Sequence, residues 1–280
     1  MILKTCLIII AGLLASFCAS VVADPEVIVV CYPGGYVNIK DANGAMNAML
    51  RVVERVGNWQ EHSFDSMFSA KTDDCRQLMA AKHPKFAFTS LGLYLELRSQ
   101  YSLAPLVQPN IQGRSTERYR VMVKKDSYRN LDELKGKTLG GTVLEEQAFI
   151  SKIVFAGKYA LADYFVLKSS SQAIRALRAL DKGELDAMVL NEQQFGGLAS
   201  LHLDSALEAV FTSAEIPLIG VVANTAATTP EERVRFGKAL VDMCTDAEGK
   251  KLCELFGMES FASVEAAVFE PMVKLWSEGK

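Results

Sequence analysis

The sequence lacks a surplus of charge of either sign. Its 280 residues include 33 acidic and 30 basic side chains, for a formal net charge of −3. A nucleic-acid-binding surface normally needs a clustered excess of Lys and Arg. Neither such an excess nor a polyacidic tail is visible, so we expect no nucleic-acid partner. Half of the residues are apolar, and the length suits one large domain or two small ones.

The sequence also lacks the groupings that mark common catalytic and metal sites. It has only three histidines, His62, His83 and His202, and they are far apart. No Cys-x-x-Cys pair or Cys/His cluster indicates zinc. A Gly-x-Ser-x-Gly turn and a Gly-rich phosphate loop are also missing. Asp186 and Glu145 could form an acid–base pair, but a charged strand start and a helix cap account for both. We therefore predict a protein that is not an enzyme and uses no metal or cofactor.

Long apolar runs are missing except at the N-terminus. Lys4 precedes an apolar stretch from Leu7 to Phe17, and the small residues up to Ala23 suit cleavage there. This pattern is typical of a cleaved secretory signal over residues 1–23. The alternatives are a membrane anchor, for which the run is short of the ~20 residues needed, and a lipid anchor at Cys18, which the bulky residue before it disfavours. We expect export, with no stable membrane insertion after cleavage.

Four cysteines follow the predicted signal: Cys31, Cys75, Cys244 and Cys253. Export permits disulfides, and four cysteines allow three pairings, among which the sequence does not choose. Cys244 and Cys253 are close enough in the chain to bridge two neighbouring helical segments. Free buried thiols are the alternative.

Short buried strands alternate with amphipathic helices along most of the mature chain. This alternation predicts mainly parallel sheets covered by helices on both faces. Because the pattern occurs twice, the sequence predicts two similar lobes, and a helical tail from Pro230 can complete the first. The predicted strands include residues 26–31, 63–68, 85–89, 138–141, 164–167 and 185–190, and the predicted helices include residues 43–56, 91–100 and 145–159.

Three segments carry a family resemblance when taken in order. They are YRNLDELKGK at residues 128–137, AIRALRALDKGELDA at 173–187, and Ile216-Pro217 followed by PEER at 230–233. Together they resemble the phosphate/phosphonate-type substrate-binding proteins of ABC transporters, a branch of the type II periplasmic binding fold.

The resemblance implies an α/β protein of two lobes joined by two crossing strands. Residues 24–111 and 212–280 would form lobe 1 and residues 112–211 lobe 2, with the crossings near 106–112 and 210–217. It also implies a periplasmic, monomeric receptor that captures a small ligand between its lobes and delivers it to an ABC permease. Ligand in such a fold sits at the carboxyl ends of parallel strands and at helix N-termini.

Lobe 1 contributes four candidate ligand-binding residues and one further aromatic candidate. Tyr32 follows the first strand and can stack on a ligand and donate a hydrogen bond, and Tyr36 is a second aromatic in the same loop. Thr89 and Ser90 end the third strand, where their hydroxyls would meet the ligand. Tyr94, one turn later, matches an aromatic position of the family. Helix capping and core packing are the alternative roles.

Lobe 2 departs from the phosphonate-binding pattern at three places. The turn after the Thr138–Gly141 strand carries carboxylates in place of a Ser/Thr-rich, glycine-containing loop. Ser170 stands where the family tends to have histidine, and Asn191 stands where an acidic residue is common. The candidates are therefore Thr142, Glu145, Glu146, Gln147, Ser170 and Asn191.

Carboxylates are poorly suited to holding a dianion, and this leaves two hypotheses for the ligand. In the first, it is neutral, zwitterionic or cationic, and Glu145 or Glu146 meets its positive part. In the second, the hydroxyls of Thr142 and Ser170 still bind an anion. Both glutamates can also be solvated residues of a first helical turn.

Two other functions use the same fold. A sensor would present the ligand to a membrane signalling protein, and the sequence does not separate it from a transport receptor. An enzyme on this fold is the other alternative, and the sequence offers no catalytic grouping for it.

Overall fold

A computed structural model describes residues 24–35 and 38–279 of the chain. The predicted signal segment, residues 1–23, and Tyr36 lie outside the described residues. Two sheets, each flanked by helices, form two lobes, and a third, two-stranded sheet lies between them.

Thirteen strands are present in the described part of the chain. In order they are β1 Glu26–Cys31, β2 Phe64–Ser69, β3 Phe86–Phe88, β4 Leu103–Asn110, β5 Thr116–Glu117, β6 Arg120–Lys124, β7 Thr138–Gly141, β8 Val166–Ser169, β9 Ala187–Leu190, β10 Leu207–Thr212, β11 Ile216–Pro217, β12 Val221–Asn224 and β13 Ser260–Ser263.

The α-helices differ widely in length. They are α1 Ile39–Val56, α2 Thr72–Lys82, α3 Leu91–Leu97, α4 Gln147–Phe149, α5 Leu161–Tyr164, α6 Ala173–Asp181, α7 Glu192–Gly196, α8 Pro230–Met243, α9 Ala247–Leu255 and α10 Glu270–Glu278. Short 3-10 segments lie at Leu131–Leu134, Val143–Glu146, Gly197–Ser200 and Ala266–Phe269, and a π-helical turn lies at Ile150–Val154.

Lobe 1 is built on a six-stranded sheet in the order β13-β4-β12-β3-β1-β2. Strand β1 is parallel to β2 and β3, whereas β12 is antiparallel to β3 and β4, and β13 is antiparallel to β4. The sheet is therefore mixed, and the expectation of a mainly parallel sheet is corrected. The reason is the path of the chain: β4 leaves the lobe towards the hinge and β12 returns from it, so the two run in opposite directions.

Lobe 2 is built on a five-stranded sheet in the order β10-β6-β9-β7-β8. Strand β7 is parallel to β8 and β9, and β6 is antiparallel to β9 and β10. Strand β6 enters from the hinge and the edge strand β10 returns to it, which again produces a mixed sheet.

The two crossings between the lobes pair with each other and form the hinge. Strands β5 and β11 are antiparallel, with Glu117 opposite Ile216. One step further on, the Ser213 amide donates to the Tyr119 carbonyl at 2.9 Å, and the Tyr119 amide donates to the Ser213 hydroxyl at 3.0 Å. The two crossing segments are therefore paired where they pass between the lobes, and any bending of the hinge involves both.

A buried apolar cluster continues from one lobe into the other. It includes Tyr94 and Phe269 on the lobe 1 side and Phe149 and Ile150 on the lobe 2 side. The C-terminal helix α10 contacts both α3 and the π-helical turn, and Lys152 Nζ donates to its Trp276 carbonyl at 3.2 Å. The lobes are thus in contact beyond the hinge strands.

Two local predictions are wrong. The expected helix from Glu145 to Tyr159 is broken into 3-10, α and π turns, and Glu146 has a non-helical backbone (φ −113°, ψ 66°). The sequence Ser169-Ser-Ser-Gln172 also predicts a capping box at the start of α6, but it is absent, because the Ser170 hydroxyl bonds the backbone of Gln172 and α6 begins at Ala173. In both places local or tertiary hydrogen bonds replace the helical pattern.

Both pairs of cysteines are disulfide-bonded. Cys31 at the end of β1 is bonded to Cys75 in α2, and Cys244 at the end of α8 is bonded to Cys253 in α9. The first bond fixes the end of β1 immediately before Tyr32. The sequence left the pairing open, and the structure has the bridge between neighbouring helices at Cys244 and Cys253; disulfides agree with an oxidising compartment.

Candidate ligand-binding site

A cavity of about 1000 Å³ lies between the lobes at the hinge. Its lobe 1 wall is formed by the loops after β1 and β3, its floor by the hinge strands, and its lobe 2 wall by the turn after β7 and the starts of α6 and α7. This is the place where strand ends and helix N-termini converge, as expected for a ligand site in an open α/β fold.

Three of the lobe 1 candidates line the cavity: Tyr32, Thr89 and Ser90. Tyr32 keeps 51% of its surface exposed, so its ring is free to contact a ligand. Ser90 caps α3 by accepting from the Leu93 amide at 3.2 Å, and its hydroxyl donates to Glu146 Oε1 at 2.7 Å. The Ser90 hydroxyl is therefore engaged by the protein itself.

Thr142 and Asn191 line the cavity from lobe 2, and both are engaged within the lobe. Thr142 Oγ1 accepts a hydrogen bond from Gln194 Nε2 at 2.8 Å. The Asn191 side chain accepts from the Gln194 amide at 2.9 Å and closes a capping box at the start of α7. The side chains of Thr142 and Asn191 therefore stabilise the wall of the cavity through Gln194.

The two neighbouring glutamates predicted in lobe 2 both bind lobe 1. Glu145 accepts from the Thr72 amide at 3.0 Å through its side chain and from the Thr72 hydroxyl at 3.0 Å through its carbonyl. Glu146 accepts from Ser90. We call these two pairs, Thr72–Glu145 and Ser90–Glu146, the closure contacts, because each joins a residue of lobe 1 to a residue of lobe 2.

Four of the candidates do not line the cavity. Tyr94 is buried against Phe269, with ring centroids 5.8 Å apart. Glu145 and Gln147 border a smaller cavity of about 220 Å³ between the lobes. Ser170 is turned into its own loop. The sequence pattern thus located the walls but not every side chain that faces the ligand space.

The sequence analysis missed the acidic floor of the cavity. Glu117 on β5 lines it, and the Tyr119 hydroxyl donates to Glu117 Oε1 at 2.9 Å. Burial raises the pKa of Glu117 to about 7, against hydrogen bonds from Tyr119 and from the Glu192 backbone that lower it. Glu146 also has its pKa raised to about 7 by burial. Glu117 lies beyond the crossing predicted near residues 106–112, so the sequence carried no direct signal for it.

Glu192 is the third carboxylate of the cavity wall and the best neutralised. Arg120 and Arg114 lie 3.1 and 3.5 Å from its carboxylate oxygens. Burial alone would raise the pKa of Glu192, but hydrogen bonds and charge from Arg120 outweigh it and lower that pKa. This glutamate therefore stays ionised and paired.

Two lobes, a double-stranded hinge and a cavity closed by contacts across the gap define a receptor that encloses a small solute. A family model described as the periplasmic substrate-binding protein of a phosphonate ABC transporter matches residues 47–269. The chain belongs to this family of transporter substrate-binding proteins, which is not an enzyme family. No curated protein sequence is similar enough to count as a match.

Solved structures confirm the two-lobed type II periplasmic binding fold at low sequence identity. A binding protein component of an ABC phosphonate transporter from Pseudomonas aeruginosa is 16% identical with a TM-score of 0.67, and the match covers 90% of this chain and 86% of that chain. PhnD1 from Prochlorococcus marinus, in complex with methylphosphonate, is 12% identical with a TM-score of 0.66, covering 91% and 98%. A Xanthomonas citri protein bound to ATP is 12% identical with a TM-score of 0.68, covering 90% and 96%.

Two further observations concern residues 24–35 and 38–279. No helix in these ranges combines the length and apolar character that crossing a membrane requires. The same ranges contain no group of three or more His, Cys, Asp or Glu side chains arranged to hold a metal ion.

Proposed function

We propose that the protein is an exported, monomeric receptor that captures a small solute by closing its two lobes and delivers it to an ABC-type permease. The observation that carries the proposal is the pair of closure contacts beside the cavity. They join residues of opposite lobes, Ser90 to Glu146 at 2.7 Å and Thr72 to Glu145 at 3.0 Å. Such contacts can form only when the gap between the lobes is closed.

Glycines lie where the closed lobes approach each other most tightly. A Cβ atom at Gly34 would overlap the Thr142 carbonyl of the other lobe, and a Cβ at Gly92 would overlap Glu146 and lie 2.9 Å from Phe149 Cβ. Gly34 also has a positive φ of 78°, which favours glycine. Both positions support a surface shaped for close approach of the lobes.

Closure also explains how binding would be signalled to a permease. Bending at the β5–β11 hinge changes the relative position of the lobes, so the outer surface of the closed form differs from that of the open form. The predicted signal segment and the two disulfides support export, where such a receptor would meet its solute.

A thermal-shift screen of residues 24–280 tests the proposal. The panel contains phosphonates, phosphates, amines, amino acids and sugars. A compound present at a hundred times its dissociation constant should stabilise the folded protein by about 2.7 kcal/mol. For a chain of this size we expect the Tm to rise by roughly 5–10 °C. A Tm that does not move with any class of small solute would contradict the receptor function.

A further inference from the structure

The charged side chains on the cavity wall do not balance. Of the described residues that line the cavity, four are charged: Arg114, Glu117, Glu146 and Glu192. Glu192 has Arg114 and Arg120 beside it. Glu117 and Glu146 have no cationic partner within 4.0 Å among the described residues. The wall therefore carries two carboxyl groups that have no neighbouring cation among the described residues.

Glu146 already has a role in holding the lobes together, which leaves Glu117. Glu117 lies on the hinge strand β5, and the Tyr119 hydroxyl holds it at 2.9 Å. Tyr119 is itself buried (8% exposed), and its ring packs edge-on against Phe149 at 5.5 Å. A buried and well-packed donor thus holds the Glu117 carboxylate at the cavity floor.

An aromatic ring lines the same cavity as this carboxylate. Tyr32 lines the same cavity and remains 51% exposed. Burial raises the pKa of the Tyr32 hydroxyl, and the negative charge of Glu117 raises it further. A carboxylate and an electron-rich ring that line one cavity are the two features that attract an organic cation.

We propose that Glu117 and Tyr32 form the recognition site for a positively charged group of the solute, an ammonium or guanidinium. This inference rests on the proposed receptor function and specifies its ligand class. Glu117 forms a charge-assisted hydrogen bond with the cation, and the Tyr32 ring covers it. An enclosed carboxylate without a cationic partner is unfavourable, so a cation that supplies the missing charge is selected over a neutral solute.

The same arrangement disfavours a simple phosphonate or phosphate. A dianion in this cavity would lie beside Glu117 and Glu146, and like charges in an enclosed site repel strongly. The Ser90 hydroxyl, which could donate to such an anion, instead donates to Glu146. A zwitterion remains compatible when its cationic end lies at Glu117.

Titration calorimetry with defined probes tests the inference. The cationic probes are arginine, agmatine, choline and spermidine, the anionic probes are methylphosphonate and phosphate, and 2-aminoethylphosphonate is the zwitterion. We expect at least one probe with a cationic group to bind. Glu117→Gln should weaken that probe by more than about tenfold, and Tyr32→Ala should weaken it by about fivefold.

Glu184→Gln is the matched control, because Glu184 is exposed and lies outside the cavity. Circular dichroism establishes whether each variant is folded. If Glu117→Gln does not fold, Tyr32→Ala still tests the site. If only the anions bind, the cation site is overturned and the receptor function stands. The same conclusion follows if a cationic probe binds and neither variant changes its affinity. Binding of none of the probes, with no Tm shift in the wider screen, overturns both.

Discussion

The substitution Gly92→Ala should separate closure from folding. Gly92 lies in the first turn of α3, where alanine is the better helix former by up to about 1 kcal/mol. In the closed structure, however, the added Cβ would overlap the Glu146 carboxylate and lie 2.9 Å from Phe149 Cβ. The glutamate end can move aside, but Phe149 Cβ is fixed to the backbone, so the lobes must stay slightly apart.

The expected cost falls on the bound form. Forcing an extra methyl group into a packed contact typically costs 1–3 kcal/mol, and the Ser90–Glu146 hydrogen bond is strained as well. We take about 2 kcal/mol, which corresponds to about a thirtyfold loss of affinity. The ligand-free protein should lose no stability, because the open lobes leave room for the methyl group.

Calorimetry with the strongest compound from the thermal-shift screen measures the affinity, and a thermal melt without ligand measures stability. Gly44→Ala is the control: Gly44 lies in helix α1, and a Cβ there meets nothing within 4 Å. It should raise the Tm and leave affinity unchanged. Wild-type affinity in Gly92→Ala would refute the closure contact, and a ligand-free Tm several degrees lower would show that the lobes are packed together permanently.

Three further predictions concern stability. Burial raises the pKa of Glu117 and Glu146 to about 7, so each group contributes up to about 3 kcal/mol to the free energy of unfolding, a contribution that is fully present below the ordinary pKa of 4.5 and is lost as the pH rises through 7. The Tm should therefore fall between pH 5 and pH 8, and it should fall less in a variant with Gln at both positions. A Tm that rises over this range would contradict the predicted sign. Replacing Cys31 and Cys75 by Ser opens a loop with a sequence separation of 44 and should cost about 4 kcal/mol in urea unfolding, with unchanged stability as the contrary result. Glu54 is 1% exposed and accepts hydrogen bonds from two backbone amides, so Glu54→Ala should cost about 3 kcal/mol in the same assay, and a loss below 1 kcal/mol would show that its partners find other acceptors.

The buried strands were predictable because they carry a strong local signal. The segments Glu26–Cys31 and Thr138–Gly141 were predicted with the bounds that the structure has. Short β-branched or apolar runs that end in Gly or Pro leave few alternatives. Because Tyr32 follows the first of these strands, its position at the cavity could be inferred without a structure.

The cavity floor was not predictable by the same means. Strands β5 and β11 have two residues each, too few for any periodicity, and they form because Glu117 and Ile216 meet across about a hundred residues of chain. The sequence around Glu117 does not indicate that its carboxylate accepts hydrogen bonds from Tyr119 and from the backbone of Glu192. Sites assembled from distant segments need the pairing to be known first.

At Glu145 and Glu146 the sequence predicted a regular helix that the structure does not have. Its apolar spacing after residue 148 is helical, and two acidic residues at the start suit a helix dipole. In the structure both carboxylates accept hydrogen bonds from the other lobe, and the chain turns to allow it. Contacts across the gap outweigh helix propensity there, and the residues proved to join the lobes.

A crystal structure of residues 24–280 with the tightest-binding solute tests the central claim most directly. We predict one solute molecule in the cavity between the lobes, touching Tyr32 and Glu117, with the Ser90–Glu146 hydrogen bond formed beside it. A solute bound elsewhere on the surface, with this cavity holding only water, would contradict the account.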